Sequence, residues 1–356
     1  MLEPPVFILG SPRSGTTLLS HLLLSAGGFA VVRSELHALN IIGPRFGGLK
    51  SESDRAALVE TWLATEVHRR TGLSAERLRE LVMGEVRSAT DFLGTVMEEV
   101  CAIQGARRWS DCTPENVAYI EPLALAFPEA RFLHVVRDGR DVAASIAKRG
   151  LANAAARDEG RELEVAALLW EWFVKQGRRG CEAFRERSME VRYEELVSDR
   201  GGSLERISAF IGHEVDPARV EEFALGSVSK PNTSFEEDLE KGSFQPVERW
   251  RSSLSKEELA RLEGLVGETL TELGYERSIE SGEEIEDGAL RARYHRTYAI
   301  RQWLKARTPL GRRTDASALD DFEGGVADDL SLRPAEHPDF IRRVVGELSG
   351  PGSALN

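Results

Sequence analysis

The stretch VFILGSPRSGTTLL, residues 6–19, decides the fold. Its first four residues are continuously apolar, as expected of a strand that is buried on both faces. The run breaks at Gly10 into a short polar turn, and apolar residues at helical spacing resume at Leu18. A strand that passes through a glycine-containing turn into a helix brings backbone N–H groups and a positive helix end together. The stretch therefore predicts an anion site.

This turn is close to the nucleotide-binding pattern GxxxxGK[ST], but Thr16 stands where the lysine belongs. Hydroxyl groups and the fork of N–H groups on an arginine are suited to phosphate or sulfate oxygens. We therefore predict that the anion is bound by Arg13, Ser14, Gly15, Thr16 and Thr17. The alternative is an ordinary Gly/Ser-rich turn with a surface arginine.

A second motif, RFLHVVRDGRDVAAS, spans residues 131–145. Arg137 ends a predicted buried strand, and Ser145 follows eight residues later on the next predicted helix. An arginine at a strand end and a serine on the adjacent helix can bind one phosphate from two sides. Alternatively, this is an ordinary helix start with Asp138 as the capping residue and solvated arginines.

The rest of the chain alternates between strand and helix patterns. Strands are predicted at 6–9, 29–32, 107–110, 131–137 and 189–193. Helices are predicted at 16–24, 114–127, 138–148 and 163–187, with two or three more between 53 and 104. Such alternation is typical of an α/β fold, and we expect three layers with a central, mostly parallel sheet flanked by helices.

Composition excludes several classes of function. The chain has 356 residues and a formal net charge of −13, with both signs interspersed, which argues against general nucleic-acid binding. Its three cysteines form no CxxC pair, so we expect a reducing compartment and no structural zinc. We see no signal peptide and no apolar run near the roughly 20 residues of a membrane span. The protein is expected to be soluble and cytoplasmic.

We expect one domain over residues 1–277, with a helical insertion at about 40–106, and an extension over 278–356. The extension contains a basic, aromatic-rich segment, Arg291–Arg313, and then an acidic, flexible tail. We interpret the basic segment as a helix that packs its aromatic residues on the domain. Docking on an acidic or carrier partner, on a membrane surface, or in a homodimer is the alternative.

Together the two motifs resemble those of the sulfotransferase family, whose members use 3′-phosphoadenosine 5′-phosphosulfate (PAPS). The likeness covers roughly residues 5–275 and is greatest for the bacterial and tyrosylprotein-type branch. It implies a P-loop-like fold that works without a metal. It also implies that SPRSGTTLL binds the 5′-phosphosulfate and that VVRDGRDVAAS binds the 3′-phosphate through Arg137 and Ser145.

Two further segments resemble family segments less strongly. VRYEELV, residues 191–197, implies that Tyr193 reaches the nucleotide, although it could equally be a packed strand residue. The stretch that begins at Lys230 is similar to a loop that folds over the cofactor. It implicates Arg249, Trp250 and Arg251, and less firmly Ser227 and Lys230. Trp250 could instead be a core aromatic that opens the last helix.

The resemblance also implies the catalytic base. Glu35, in VVRSELHAL, matches the glutamate of this branch, and His37 is the alternative base. Arg13 would assist the transfer. Glu35 or His37 could also be an ordinary polar residue at a strand–helix junction. We interpret His21 and His134 as packing residues.

One position departs from the family pattern. RWSDCTPEN places Cys112 where the family often has a lysine that neutralises the sulfuryl group. Arg13, Arg108 or Lys230 would then have to supply the missing charge.

Three functions remain open from the sequence. The first is PAPS-dependent transfer of a sulfuryl group to a hydroxyl of a small-molecule, lipid, carrier-bound or glycan acceptor, which leaves adenosine 3′,5′-bisphosphate (PAP). The second is a kinase with a degenerate P-loop, which the missing lysine disfavours because kinases use it with Mg²⁺. The third is a non-catalytic protein that binds PAP or PAPS, which the cysteine at position 112 favours.

Overall fold

A parallel sheet of four strands lies at the centre of the chain. A computed structural model describes residues 2–32, 34–149, 160–278 and 291. Along the sheet the strand order is β2-β1-β3-β4, and every pairing is parallel. The strands are β1 (Val6–Gly10), β2 (Ser110–Asp111), β3 (Arg131–Val136) and β4 (Ser188–Arg192).

Both faces of this sheet are covered, which explains why its strands are continuously apolar. In β1, Val6 and Ile8 pack into one core while Phe7 and Leu9 pack into the other, and all four are fully buried. Register pairs Val6 with Arg131 on one side and with Ser110 on the other. The predicted three-layer α/β architecture is confirmed.

One layer of helices packs on the face of the sheet from which Val6 and Ile8 project. They are α1 (Thr16–Ala26), α10 (Tyr193–Ser198), α11 (Arg200–Ile211) and α12 (Pro217–Phe223).

Helices of the other layer pack on the opposite face. They are α3 (Glu52–Trp62), α4 (Glu66–Thr71), α5 (Ala75–Gly84), α6 (Ala89–Gln104), α7 (Ile120–Ala126), α8 (Gly139–Lys148), α9 (Glu162–Ala183) and α15 (Lys256–Glu272). The remaining α-helices of the described residues are short: α2 (Gly43–Arg45), α13 (Glu236–Glu240) and α14 (Trp250–Ser253).

The predicted strand at 29–32 is wrong. Phe29 forms a single bridge with Arg108, and the pairing goes no further. Gly27 and Gly28 turn the chain with φ of 83° and 80° just before it. The N–H group of Val31 then bonds to the side chain of Gln104 at 2.7 Å instead of to a strand.

Other boundaries differ in detail. The predicted helix at 114–127 is a 3-10 turn, Pro114–Ala118, followed by α7, with a break at Tyr119. The predicted strand at 107–110 is shorter and lies later, at β2. Four helices, not two or three, fill residues 52–104.

A buried polar network joins α8 to the end of the described domain. Arg140 donates to both oxygens of Asp138 and, at 2.6 Å, to Glu263 on α15. Glu263 also accepts from the backbone N–H and the hydroxyl of Ser278. Most of the predicted extension, including the segment 292–313 and the acidic tail, lies outside the described residues. Arg291 is described, and its Nε donates to Glu171 at 3.0 Å. Among the described helices, none is long and apolar enough to cross a membrane.

Candidate active site

The carboxyl ends of three neighbouring strands bring the predicted ligand residues to one edge of the sheet. β1 ends at Gly10, β3 at Val136 and β4 at Arg192. Because the strands are parallel, Arg137 after β3 and Tyr193 after β4 emerge beside the turn that follows β1. Ligands in open α/β sheets bind at this edge.

The turn after β1 leaves the start of α1 open to an anion. Gly15 caps the helix with φ of 106°, and no described side chain bonds to the first helical N–H groups. A Cβ atom at Gly15 would lie 2.3 Å from the ring of Tyr193, so this ring packs directly on the turn. Arg13 has φ of 71°, a conformation unusual for a residue other than glycine. The first turn of α1 therefore keeps the N–H groups and the positive dipole end that bind anions.

The two sequence motifs meet at Arg13. Its Nε donates to Oγ of Ser145 at 3.1 Å, and its carbonyl oxygen accepts from Nη1 of Arg137 at 3.0 Å. The Arg137 guanidinium lies over the Tyr193 ring, 4.3 Å from the centroid. Desolvation, followed by the positive charges of Arg149 and Arg137, lowers the pKa of Arg13 to about 10. Arg13 therefore keeps its charge at neutral pH beside other cations.

A cavity of about 250 Å³ lies over this meeting point. The predicted residues on its wall are Arg13, Gly15, Thr16, Thr17, Arg137, Ser145, Tyr193, Ser227 and Arg249. Ser14 is not on the wall, because it is buried and its Oγ donates to the carbonyl of Ser11 at 2.7 Å. Trp250, Arg251 and Lys230 also lie outside the wall.

Among the polar residues 137–141, only Arg137 lies on the cavity wall, and the others form contacts within the protein. Arg137 reaches the cavity, whereas Arg140 and Asp138 bond to each other within the network described above. Asp141 accepts from the backbone N–H of Trp250 at 2.8 Å, and the Arg140 guanidinium stacks 3.9 Å from the Trp250 ring centroid. Trp250 is thus a buried aromatic that opens α14 and fixes the end of the loop over the cavity.

That loop, residues 230–249, is called the lid segment here. Its Asn232 accepts from Arg13 through both its backbone oxygen, at 3.0 Å, and its side-chain oxygen, at 3.3 Å. Ser234 bonds to Oγ of Ser145 at 2.8 Å. The lid segment therefore lies against the residues of both motifs.

Two more arginine side chains donate hydrogen bonds to the lid segment. Arg149 donates to the carbonyl of Thr233 at 3.1 Å, and Arg137 donates to the carbonyl of Pro246 at 2.8 Å. Arg13, Arg137 and Arg149 are thus hydrogen-bonded to neutral lid groups. Arg249 differs, since it pairs with Asp238 and stacks on Phe235, 3.7 Å from the centroid.

Glu35 and His37 lie together in a second cluster, outside the cavity wall. Nε2 of His37 is 3.2 Å from Oε2 of Glu35, and Nδ1 is 3.2 Å from Nδ2 of Asn40. With the Asn40 amide in this orientation, Nδ1 accepts and Nε2–H faces the Glu35 carboxylate. Nε2 of His37 therefore lies against the carboxylate of Glu35.

The end of β2 holds this cluster in place. Asp111 accepts from Oγ1 of Thr113 and from Nδ2 of Asn116, both at 2.8 Å. Thr113 Oγ1 in turn accepts from the backbone N–H groups of Leu36, at 3.2 Å, and His37, at 3.3 Å. His37 has φ of 49°, so its backbone conformation is also left-handed.

Electrostatics in the cluster favour a basic carboxylate. Desolvation raises the pKa of Glu35, and the hydrogen bond from His37 opposes the rise, while Glu115 and Asp111 add to it. A third of the Glu35 side chain remains exposed. The carboxylate of Glu35 is therefore partly open to solvent.

Glu35, His37 and Glu115 also offer ligand atoms within 4.8 Å of one another, a spacing compatible with a metal ion. The sequence predicted no metal site.

The thiol of Cys112 lies close to this cluster. Desolvation, with the nearby Glu35 and Asp111 carboxylates, raises the pKa of this thiol far above its ordinary value. Cys112 is therefore an uncharged, poorly reactive thiol at neutral pH.

The sequence reasoning missed three residues of the cavity wall, Arg200, Asn232 and Phe235, and also Arg149, which donates to Thr233 of the wall. Arg149 follows Ser145 by four residues, so helical spacing could have placed both on one face. Arg200 lies on the cavity wall at the start of α11, and its Nε is buried without a hydrogen-bond partner among the described residues. Asn232 and Phe235 had no local signal, because their role depends on how the lid segment folds back.

Comparison with known proteins identifies the family. The model of the Sulfotransferase family matches residues 4–217. Nodulation protein NoeE of Sinorhizobium fredii (strain NBRC 101917 / NGR234) is 25% identical over 342 residues, which cover 88% of this chain and 76% of that protein. Carbohydrate sulfotransferase 2 of Homo sapiens is 33% identical over 99 residues, or 27% of this chain and 18% of that protein.

Solved structures share the fold. The sulfotransferase domain from the curacin biosynthetic pathway is 20% identical with a TM-score of 0.51, covering 77% of this chain and 99% of that one. The sulfotransferase domain from the Synechococcus PCC 7002 olefin synthase is 20% identical with a TM-score of 0.50, covering 78% and 97%. Because the family model matches more than half of the residues, the chain belongs to the sulfotransferase family.

Proposed function

We propose that this sulfotransferase uses PAPS as donor and transfers its sulfuryl group to a hydroxyl of an acceptor. The observation that carries the proposal is the contact between the two phosphate-binding motifs, Arg13 to Ser145 and Arg137 to Arg13, at one cavity. A donor with phosphates at both the 5′ and 3′ positions requires two anion sites at the ends of one pocket.

In this proposal the start of α1 binds the 5′ end of the donor. The N–H groups after Gly15 and the Arg13 guanidinium would stabilise the phosphate that leaves. Arg137 and Ser145, with Arg149 beside them, would bind the 3′-phosphate. Because Arg13, Arg137 and Arg149 donate to neutral lid oxygens, the donor phosphates would replace those oxygens. Arg137 also lies 3.5 Å from the carboxylate of Asp141, and this ion pair would remain behind the bound phosphate.

Glu35 is proposed as the general base. It would take the proton of the acceptor hydroxyl as the acceptor oxygen forms its bond to sulfur and the sulfur–phosphate oxygen bond breaks. PAP then leaves with the bridging oxygen. His37, whose Nε2 lies 3.2 Å from Oε2 of Glu35, is proposed to orient Glu35 rather than to act as the base. No step requires a metal, and activity should persist in the presence of EDTA.

The acceptor is proposed to be a hydroxyl of a small molecule, lipid, carrier-bound intermediate or glycan. A glycan is tested first, because a relative of partial coverage is named carbohydrate sulfotransferase. Acceptors with neutral or cationic groups beside the hydroxyl are favoured, since the carboxylates of Glu115 and Asp111 lie near the proposed base Glu35 and position 112 is a cysteine.

The test begins with calorimetry of the purified protein against PAP and against ATP with Mg²⁺. We expect binding of PAP and no binding of ATP, and the reverse result would support a kinase. Incubation with PAPS and an acceptor panel follows, with mass spectrometry of the products. A sulfated acceptor formed together with PAP supports the transferase.

The second candidate is a protein that binds PAP or PAPS without turnover, and the uncharged Cys112 favours it. Tight PAP binding without a sulfated product across the panel, including in the Cys112→Lys variant, would favour this candidate.

A further inference from the structure

Three consecutive residues of the lid segment contact both proposed phosphate sites. They are Asn232, Thr233 and Ser234, and they are called the plug here. At the 5′ site, the backbone and side-chain oxygens of Asn232 accept from the two terminal nitrogens of Arg13, at 3.0 Å and 3.3 Å. At the 3′ site, the carbonyl oxygen of Thr233 accepts from Nη2 of Arg149 at 3.1 Å. The plug thus takes up hydrogen-bond donors of two arginines.

The hydroxyl group of Ser145 is also taken up by the plug. Oγ of Ser234 donates to the carbonyl oxygen of Ser145 at 3.1 Å, and the two hydroxyl oxygens lie 2.8 Å apart. Because the single proton of Ser234 is directed to that carbonyl, Ser145 is the donor in the bond between the hydroxyls. Nε of Arg13 donates to the same Oγ of Ser145. The proton that Ser145 would offer to a phosphate is therefore directed to Ser234.

The oxygens of the plug carry no charge. Among the described residues, none forms an ion pair with Arg13 or Arg149, whereas Arg137 lies 3.5 Å from a carboxylate oxygen of Asp141. Hydrogen bonds to an ionised oxygen are about twice as strong as those to a neutral one. A phosphate therefore binds these two arginines more strongly than the plug does.

The plug is exposed at one end and anchored at the other. Asn232 is exposed, so its oxygens exchange Arg13 for water at little cost. Phe235, directly after the plug, is buried, and its ring centroid lies 4.4 Å from Nζ of Lys148 and 3.7 Å from Cζ of Arg249. This anchor holds the lid segment over the cavity, and the plug is the part that a ligand can displace.

We propose that the plug is an internal competitor for the two phosphate sites, which it occupies in the free protein and from which the nucleotide must displace it. The competition lowers the affinity for the donor and for PAP alike, so the plug favours release of the product. This inference rests on the proposed nucleotide donor. It adds a regulation of the same sites that the two motifs alone do not provide.

The test compares the binding of PAP and of adenosine 5′-phosphate by calorimetry in variants that each remove one oxygen of the plug. Asn232→Ala removes a bond to Arg13 at the 5′ site and should tighten the binding of both ligands by about two- to tenfold. Ser234→Ala frees Ser145 at the 3′ site and should tighten the binding of PAP to a similar extent. Its affinity for adenosine 5′-phosphate should stay unchanged, because this ligand has no 3′-phosphate.

Ser243→Ala is the matched control, because this hydroxyl of the lid segment donates to the carbonyl oxygen of Asp238. It should bind both ligands like the wild type. A second measurement separates competition from a general loosening of the fold. Since the bonds of the plug exist in the free protein, Asn232→Ala and Ser234→Ala should lower the melting temperature without ligand and leave that of the PAP-saturated protein unchanged.

Unchanged or weaker binding of PAP to either variant would overturn the proposal about the plug, because its oxygens would then contribute nothing or contact the bound ligand. A fall in the melting temperature of the PAP-saturated variants would overturn it as well. Binding of neither ligand to the wild type would overturn the donor assignment and this proposal with it.

Discussion

Arg13 donates a hydrogen bond from Nε to Oγ of Ser145 at 3.1 Å, across 132 positions of sequence. This bond joins the turn after β1 to the middle of α8. The two motifs were separate in the sequence, and each had an ordinary structural alternative. Their contact at one cavity makes a shared ligand the better explanation of both.

The first prediction concerns the 3′-phosphate. Arg137→Ala should weaken binding of adenosine 3′,5′-bisphosphate by about 10- to 100-fold, because a charge-assisted hydrogen bond is lost. Binding of adenosine 5′-phosphate should change little. Calorimetry with both ligands measures the difference. Arg178→Ala, which removes an exposed partner of Glu190, is the control. An equal loss for both ligands would contradict the assignment of Arg137 to the 3′ position.

The second prediction concerns the base. Glu35→Gln should lower kcat by about 10²- to 10⁴-fold and leave the affinity for PAP unchanged. In the wild type, kcat/KM should rise with pH through a pKa above the ordinary glutamate value, since desolvation raises the pKa of Glu35. His37→Asn should shift this increase in kcat/KM to higher pH, because the hydrogen bond from His37 lowers the pKa of Glu35.

A different outcome would reassign these roles. If Glu35→Gln turned over normally while His37→Asn were inactive, His37 would be the base.

The third prediction concerns the buried network around Arg140. Arg140→Met leaves Asp138 and Glu263 buried without their shared partner. We expect a loss of about 3–5 kcal/mol in the free energy of unfolding, measured by urea denaturation. Arg178→Met breaks an exposed ion pair and should cost less than about 1 kcal/mol. Similar losses in the two variants would show that the buried network is not a principal source of stability.

The fourth prediction concerns His134, which lies in the middle of β3 with 1% of its surface exposed. Desolvation lowers the pKa of His134 to about 4 from an ordinary value of 6.5. Between these two values the unfolded chain binds the proton and the folded protein does not. Stability should therefore be fully present above pH 6.5 and decline as the pH falls toward 4, by up to about 1.4 kcal/mol per pH unit.

His134→Leu removes this titration, so its stability should vary less over the same interval. Urea denaturation of both proteins at several pH values measures the two slopes. Equal slopes would show that His134 does not carry the effect.

The sequence predicted the sheet and the strand–turn–helix that begins at Val6 because both depend on local patterns. An apolar run followed by Gly10 and Gly15 determines a strand, a turn and a helix with little help from the rest of the chain. The strand predicted at 29–32 failed because the glycine pair before Phe29 turns the chain away after one bridge. Its apolar residues are explained by packing rather than by pairing.

The lid segment marks the limit of such reasoning. Arg249, Trp250 and Arg251 are adjacent in sequence and were predicted together, yet only Arg249 reaches the cavity wall. Trp250 is directed inward by Asp141, more than a hundred residues away. A side chain's direction in a loop depends on such distant partners, and no periodic pattern records them.

Ser278 has a practical consequence for anyone who shortens the protein. The sequence analysis placed the domain boundary between residues 277 and 278. A chain cut there would lose the Ser278 amide and hydroxyl, which donate hydrogen bonds to the carboxylate of Glu263. Arg291, which reaches Glu171, argues for a still later terminus. A truncated version for crystallisation should therefore end beyond residue 291, so that the hydrogen bonds of Arg140, Glu263 and Glu171 are all kept.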